Sequence, residues 1–412
     1  MITYFEAKEI INSSIPKSLE ESIRFDQSLG RTLSNDIYSL FPQPRFDNSA
    51  MDGFAVRWQD TLNASNDTPI VLNVIGVVPA GKSSNLVVSE GHCTQIMTGG
   101  KLPIGANSVI MVENTSGFES EAVKIYKPAT NGQNIRYAGE EIPKDRLLIK
   151  KGTQVTPAEI GIIATFGLEY ITVFKKPVVS IFGLGDELLE PGLPLEEGKI
   201  YNSNLHVISN LVKESGGIIK SSILLRDDRH EIESWFSRAL QTSDVVISSA
   251  GISMGRYDYV KTAFSNLGVV EKFWKVAQKP GKPLFFGTLD NKLIFGLPGN
   301  PVSSFIGYLE YIHPVIKLMS GQNQVQKISV PLIGEYPVEK LKHRFIFGKC
   351  GIVNDRLMCK ASAKTGSHML TSSLGSNCII DVPPSSKPVV DGEMVTVNLL
   401  SNFTSEQLLH ER

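Results

Sequence analysis

The 412 residues give room for roughly two to four domains, and 42% hydrophobic with 20% charged residues describes an ordinary globular protein. The 41 basic and 42 acidic side chains nearly cancel, so bulk charge gives a nucleic-acid partner no support. Cys93, Cys350, Cys359 and Cys378 are scattered without a C-x-x-C pair, the first residues MITYFEAKEIINSS lack a basic signal-peptide region, and no uncharged run approaches the ~20 residues of a membrane span; reduced thiols in a cytosol fit best.

Residues 4–33 read as an interrupted helix: Phe5, Ala7, Ile10 and Ile11 share a face, Pro16 breaks it, and 26–33 resumes with Leu29 and Leu33 on one side. Residues 40–45, LFPQPR, are an extended connector and a domain crossing. From 46 to 136, β-prone runs (70–78, 93–97, 108–112 and 122–126) alternate with Gly, Asn and Pro turns, which predicts a mostly β domain. Two of its loops stand out, FDNSAMDGFAV (46–56) and MTGGKLPIG (97–105). Either is a hairpin with Asx-turn chemistry or a binding loop on a rigid scaffold. Residues 156–167 predict a helix with Thr156 as N-cap, Pro157 in the first turn and Gly167 as the stop. Coming after the β domain, this helix is expected to pack with the N-terminal one, making the β domain an insertion into a helical stem.

From 176 strands and helices alternate: strand 177–182, helix 202–212, strand 218–225, helix 230–240, strand 245–247, a helix after 258, strands 273–277 and 293–295, and a last helix to about 319. Successive β–α units imply a largely parallel sheet with helices on both faces. Ligands of such sheets bind beyond the carboxyl ends of the strands. At those ends stand Asp186 and Glu187, Asp227 and Asp228, the small-residue loop from Ser248 to Asp258, Lys279 and Lys282, and Gly299-Asn300-Pro301. Taken singly each has a plainer role, as solvated acid, helix cap or exposed charge. Together, acids beside lysines and backbone donors suit a phosphorylated substrate bridged by Mg2+, because without a cation the carboxylates would repel each other and the phosphate. From 326 short strands (328–333, 345–347, 357–360, 378–382 and 393–399) predict a small barrel or sandwich. There Arg344, Lys349 and Ser367 form either an oxyanion-holding cluster or a solvated strand face.

The motifs FDNSAMDGFAV (46–56), TGG-LP-G (98–105), GDEL (185–188), Asp227-Asp228, S-x-G-x-S-x-G-x-x-D-Y (249–259), KPGKP (279–283) and GLPGNPVS (296–303) resemble, in order, those of the molybdopterin molybdenumtransferases, the MoeA family that includes the gephyrin E domain. The resemblance implies a multidomain α/β protein. Its parts would be a helical stem (domain I, 1–40 and 137–175), an inserted β-rich domain (II, 41–136), a mostly parallel three-layer α/β molybdopterin-binding domain (III, 176–325) and a C-terminal β-barrel domain (IV, 326–405). It also implies a cytoplasmic homodimer that takes adenylylated molybdopterin and molybdate, cleaves the adenylate with Mg2+ and releases AMP and molybdenum cofactor. The site would lie between domain III of one subunit and domain II of the other. A molybdopterin adenylyltransferase and molybdenum-enzyme chaperones are the partners implied, with neither nucleic acid nor membrane.

Carried over by motif, Glu187, Asp227 and Asp258 would hold Mg2+, and Asp52, Lys275 and Lys279 would complete the catalytic set. Thr98, Gly99, Ser249, Gly251, Ser253, Gly255, Lys282, Pro283, Pro298, Gly299, Asn300, Pro301, Arg344 and Ser367 would bind pterin, phosphate or molybdate. The chain departs from the pattern at Gly183-Leu184 (for Ser-Thr), Ala250 (for Gly), Arg256, Glu141 (for Asp) and Lys349 (for Arg). A phosphohydrolase on the same α/β module and a non-catalytic scaffold are the competing readings.

Overall fold

A computed structural model describes residues 1–400 apart from 83, 119–120, 252–258, 324–326 and 337. Helix α1 (Tyr4–Ser14) opens with a capping box in which Thr3 and Glu6 satisfy each other's backbone N–H groups. Its buried face, Tyr4, Ala7 and Ile11, enters the core shared with Ile181, Ile247, Phe286 and Ile312. Helix α2 (Pro157–Thr165) starts on a Thr156–Glu159 capping box, with Pro157 in its first turn. Its Ile163 packs instead with Leu33, Ile37, Val155, Ile171 and Val173. The expected pairing of these two helices is therefore corrected. Ile2 explains the difference: its N–H donates to the Lys275 carbonyl (3.1 Å) and its carbonyl accepts from Ala277 (2.8 Å), which anchors α1 beside the α/β domain.

The expected helix at 26–33 is also absent. Glu20–Arg24 is a strand pairing antiparallel with Tyr170–Phe174, a single 3-10 turn covers Phe25–Gln27, and Leu29 is 61% exposed while Leu33 is 1% exposed. The Leu33 N–H donates to the Thr153 carbonyl at 3.0 Å, so pairing with a distant segment outcompetes the local helical spacing. A further short pair, Ile37–Tyr38 with Leu147–Ile149, precedes a five-stranded sheet in the order Ser108–Met111, Gly53–Val56, His92–Ile96, Ile70–Val78, Ala122–Ile125.

The α/β domain follows with β1 (Val178–Leu184), α3 (Asn204–Glu214), β2 (Ile218–Leu225), α4 (Arg229–Thr242), β3 (Val245–Ser249), α5 (Tyr259–Asn266), β4 (Val270–Lys275), β5 (Pro283–Leu289) and β6 (Lys292–Leu297). The sheet order is β2-β1-β3-β6-β5-β4. Parallel pairing joins β2, β1, β3 and β6. Only β5 runs the other way, antiparallel to both β6 and β4. Strand β5 is an element the sequence reading missed: Pro283 opens it directly from the KPGKP loop, and its Leu-Phe-Phe run is short. Apolar faces pack on both sides of the sheet, with α1 and α3 in one cluster and α4 and α5 in the other.

A helical run from Pro301 to Met319 leads to the C-terminal domain and contains one π-helical turn, Tyr308–Ile312. In that domain Lys327–Ile333, Arg356–Ala361, His343–Val353, Cys378–Val382 and Met394–Leu399 pair successively until the last meets the first, closing a five-stranded barrel. Its core includes Cys350, Cys359 and Cys378, and all four cysteines of the chain are buried free thiols.

Two connections lock barrel to sheet. Gln278–Lys279 pair in parallel with His343–Arg344, so the KPGKP loop shares a ladder with the barrel. Behind it lies a buried polar network. Lys327 Nζ donates to Asp381 (2.6 Å), Tyr4 (3.1 Å) and Glu310 (3.4 Å), and Tyr4 donates to Glu310 at 2.7 Å. His343 bonds the other oxygen of Asp381. The three ammonium donors each have an acceptor, which is the condition for a buried charge to be tolerated.

Candidate active site

The carboxyl ends of β1, β2, β3 and β6 and the start of β5 lie on one sheet edge. There a cavity of about 1100 Å³ opens between the α/β domain and the barrel. The predicted residues Glu187, Ser249, Gly251, Lys279, Lys282, Pro283, Pro298, Gly299, Asn300, Pro301, Arg344 and Ser367 line it together. Among the described lining residues Lys279, Lys282, Lys342 and Arg344 are cationic and Glu187 is the single carboxylate, an excess of positive charge that favours an anion.

Each wall is tied by hydrogen bonds that the sequence did not announce. Asn204, at the start of α3, donates from Nδ2 to Ser249 Oγ (3.0 Å) and to the Gly299 carbonyl (2.8 Å), holding the β3 and β6 loops together. Asn300 Nδ2 donates to Ser367 Oγ at 3.1 Å, and the Val302 N–H donates to the Ser367 carbonyl at 3.0 Å. This brings the barrel's loop onto the loop after β6. Arg344 is 8% exposed; its guanidinium lies over the Tyr336 ring at 4.8 Å and donates to that residue's hydroxyl at 2.8 Å. Lys279 Nζ lies 2.7 Å from Glu339, and that hydrogen bond, with the lysine's charge, holds the Glu339 carboxyl below its usual range.

Glu187 folds back over Gly185, whose φ of +144° suits glycine. A Cβ at that position would collide with the Glu187 carboxylate. Asp228, and not Asp227, caps α4, accepting from the Glu231 N–H at 2.8 Å. Asp227 is outside the cavity lining, and its N–H donates to Asp186 Oδ1 at 3.3 Å. Lys275 ends β4 with its ammonium over the Trp274 ring at 4.1 Å, also outside the lining. Ser253, Gly255 and Asp258 lie outside the described residues, as does Arg256. Among the described residues no group of three His, Cys, Asp or Glu is arranged to hold a metal.

Asp52, Thr98 and Gly99 do not line their own chain's cleft; they tie two loops of the five-stranded domain to each other. Asp52 Oδ1 accepts from the Thr98 N–H (2.6 Å) and hydroxyl (2.8 Å), and these bonds lower its carboxyl pKa. The Gly99 N–H donates to the Ser49 carbonyl at 2.8 Å. Gly53 explains the Met-Asp-Gly sequence, since a Cβ there would run into the Ile110 carbonyl of the neighbouring strand.

Sequence reasoning missed Asn204, Gln278, Lys342, Thr365 and His368 as lining residues. Asn204 was readable only as part of a helix start. Lys342 and His368 carry signals that any solvated loop would carry.

Fold and site define a class: a multidomain α/β protein with a cation-rich cleft between a parallel sheet and a barrel. Residues 2–167 match the MoeA N-terminal region (domain I and II), residues 180–318 a probable molybdopterin binding domain, and residues 337–400 the MoeA C-terminal region (domain IV). A molybdopterin molybdenumtransferase from Haemophilus influenzae is 32% identical over 402 residues, 96% of this chain and 98% of that one. One from Staphylococcus aureus is 32% identical over 393 residues, 94% and 93% of the two chains. The crystal structure of a molybdopterin biosynthesis MoeA protein from Pyrococcus horikosii superposes with a TM-score of 0.84 at 29% identity, covering 98% of this chain and 100% of that one. The chain belongs to the MoeA family.

Proposed function

We propose that this chain is a transferase of molybdenum cofactor biosynthesis that inserts molybdate into adenylylated molybdopterin with release of AMP. Family membership over nearly the whole length supports the transferase class. The observation that carries the substrate reading is the cleft itself, whose described lining at the carboxyl edge of the sheet includes Lys279, Lys282, Lys342 and Arg344 against one carboxylate, Glu187. Lysines there neutralise phosphate as point charges, and the planar Arg344 fork suits an oxyanion such as molybdate.

Glu187 and Asp227 would hold Mg2+ together with Asp258: the donor set is oxygen only, which suits a hard cation, and the open backbone of Gly185 leaves the Glu187 carboxylate room at the strand end. When bound, the cation would neutralise the pyrophosphate and stabilise the departing AMP. The chain's own part is to orient the adenylate between the β3 and β6 loops, through the Asn204 strap, and to present oxyanion donors from the barrel. A homodimer is part of the proposal, because Asp52 and Thr98 form a polar loop pair remote from their own cleft and would complete that of a second subunit. A cytoplasmic setting accords with four reduced, buried thiols. Among the described residues no helix is long and apolar enough to cross a membrane. A molybdopterin adenylyltransferase would supply the substrate, and molybdenum-enzyme chaperones would collect the product.

The test is a single-turnover assay with adenylylated molybdopterin, Mg2+ and molybdate. AMP release that depends on molybdate is the expected result. Release at the same rate without molybdate would favour the phosphohydrolase, and no release would favour the scaffold.

A further inference from the structure

The loop that carries Lys279 and Lys282 is held from beneath by a side chain for which the chemistry so far has no use. Gln278 is 1% exposed. Its amide nitrogen donates to the Pro280 carbonyl at 3.2 Å and to the Gly281 carbonyl at 3.1 Å, two consecutive carbonyls of the loop. Its amide oxygen accepts from the Tyr311 hydroxyl. That bond fixes the amide's orientation, because only the nitrogen can then face the loop. Tyr311 is itself 1% exposed, seated in the π-helical turn beside Glu310. Burial, with the neighbouring Glu310 and Asp381 charges, pushes its phenol well above the ordinary value, so it remains a donor.

Besides the parallel ladder of Gln278–Lys279 with His343–Arg344 at one end of the loop, three further backbone bonds hold it. The Val276 N–H donates to the Lys282 carbonyl at 3.0 Å, the Gln278 N–H to the Val276 carbonyl at 2.8 Å, and the His343 N–H to the Ala277 carbonyl at 2.9 Å. All three sit at the loop's base. Between Lys279 and Lys282 the two Gln278 amide bonds are the hydrogen bonds that reach the turn among the described residues. Gly281 is also shaped to them: its φ is +83°, and a Cβ would stand 3.0 Å from the Gln278 amide nitrogen. An apolar side chain in this place would leave two buried-side carbonyls without a donor.

We propose that Gln278, oriented by Tyr311, is a positioning residue that presents the two lysines of the 279–283 loop to the anionic part of the substrate. The inference rests on the reading of the cleft as a phosphate site and adds to it the residue pair that sets its geometry. A lysine ammonium binds an anion as well as its backbone is placed, so loosening the turn costs affinity first.

The experiment compares wild type with Gln278→Met, Tyr311→Phe and the double variant. Inorganic pyrophosphate affinity is read by calorimetry, and KM and kcat for adenylylated molybdopterin by AMP release. Tyr311→Phe keeps ring and volume, so it remains informative if Gln278→Met folds poorly. The expected result is pyrophosphate binding weakened about tenfold in each single variant, with KM raised to match and kcat changed by less than about threefold. The double variant is expected to be no weaker than the worse single one, because both act through one amide. Unchanged pyrophosphate affinity alongside a lowered melting temperature would overturn the inference and leave Gln278 a structural residue. Losses that multiply in the double variant would overturn the relay through Tyr311. Wild type that binds pyrophosphate in this variant-sensitive way but releases no AMP sinks the reaction, not the positioning role.

Discussion

The Lys279 ammonium lies 2.7 Å from Glu339 of the barrel, so the cation that the proposed reading assigns to substrate phosphate already has a carboxylate partner. Incoming phosphate must compete with that carboxylate. Glu339→Gln is expected to tighten binding of AMP and pyrophosphate by about three- to tenfold, with the gain shrinking at high salt because the pair is solvent-accessible. Calorimetry at low and high ionic strength reads both.

The buried network makes a prediction of opposite sign. Lys327 serves Asp381, Tyr4 and Glu310 at once, and Glu310 is 1% exposed. Lys327→Met removes the ammonium from both carboxylates, leaving Asp381 with His343 and Glu310 with Tyr4, and is expected to cost about 3–5 kcal/mol, read from urea unfolding. Loss of under 1 kcal/mol would show that water reaches the network.

Asp381 gives the network a pH signature. Burial works to raise its carboxyl, but the His343 hydrogen bond and the Lys327 charge outweigh it, leaving the group below its ordinary value. A folded pKa below the unfolded one contributes stability above the unfolded value, about 4, that is lost as pH falls through the folded value. Unfolding free energy is therefore expected to drop below about pH 4, and to drop less steeply in Asp381→Asn.

Ala250 stands at φ +75° where the family pattern has glycine. Left-handed backbone strains an L side chain by about 1–2 kcal/mol, partly offset by the larger unfolded-state freedom of glycine. Ala250→Gly is expected to stabilise the fold by about 0.5–1 kcal/mol. A melting temperature that does not rise would remove the strain argument.

A shared cleft predicts complementation. Asp52→Asn and Asp227→Asn chains are each expected to be inactive. A mixed dimer has one site built from the intact half of each chain and should recover turnover. Absence of recovery in a verified heterodimer would return Asp52 to a loop-bracing role with Thr98.

The α/β domain was legible because its periodicity changes with each element and its unusual residues fall at strand ends; Ser249, Gly299 and Lys282 do converge. Strand β5 was lost because Leu284 to Phe286 follows a proline-rich loop with no turn of its own. The helix expected at 26–33 failed for another reason: Leu33 is paired by Thr153, 120 positions away, and no local pattern encodes that partner. Gln278 was invisible likewise, since its meaning lies in Tyr311. Cap chemistry was legible at Thr156, whereas between Asp227 and Asp228 one position decides which acid caps the helix, and the sequence left that open.

The burial of Cys93, Cys350, Cys359 and Cys378 bears on what the cleft offers a metal. Its described walls carry oxygen and nitrogen donors and no sulfur. Donors of that kind suit molybdenum as a hard oxyanion better than molybdenum with soft ligands. Under the proposed reading the soft sulfur ligands that take up the metal come from the pterin and not from the described walls of the cleft, so the metal leaves with the pterin.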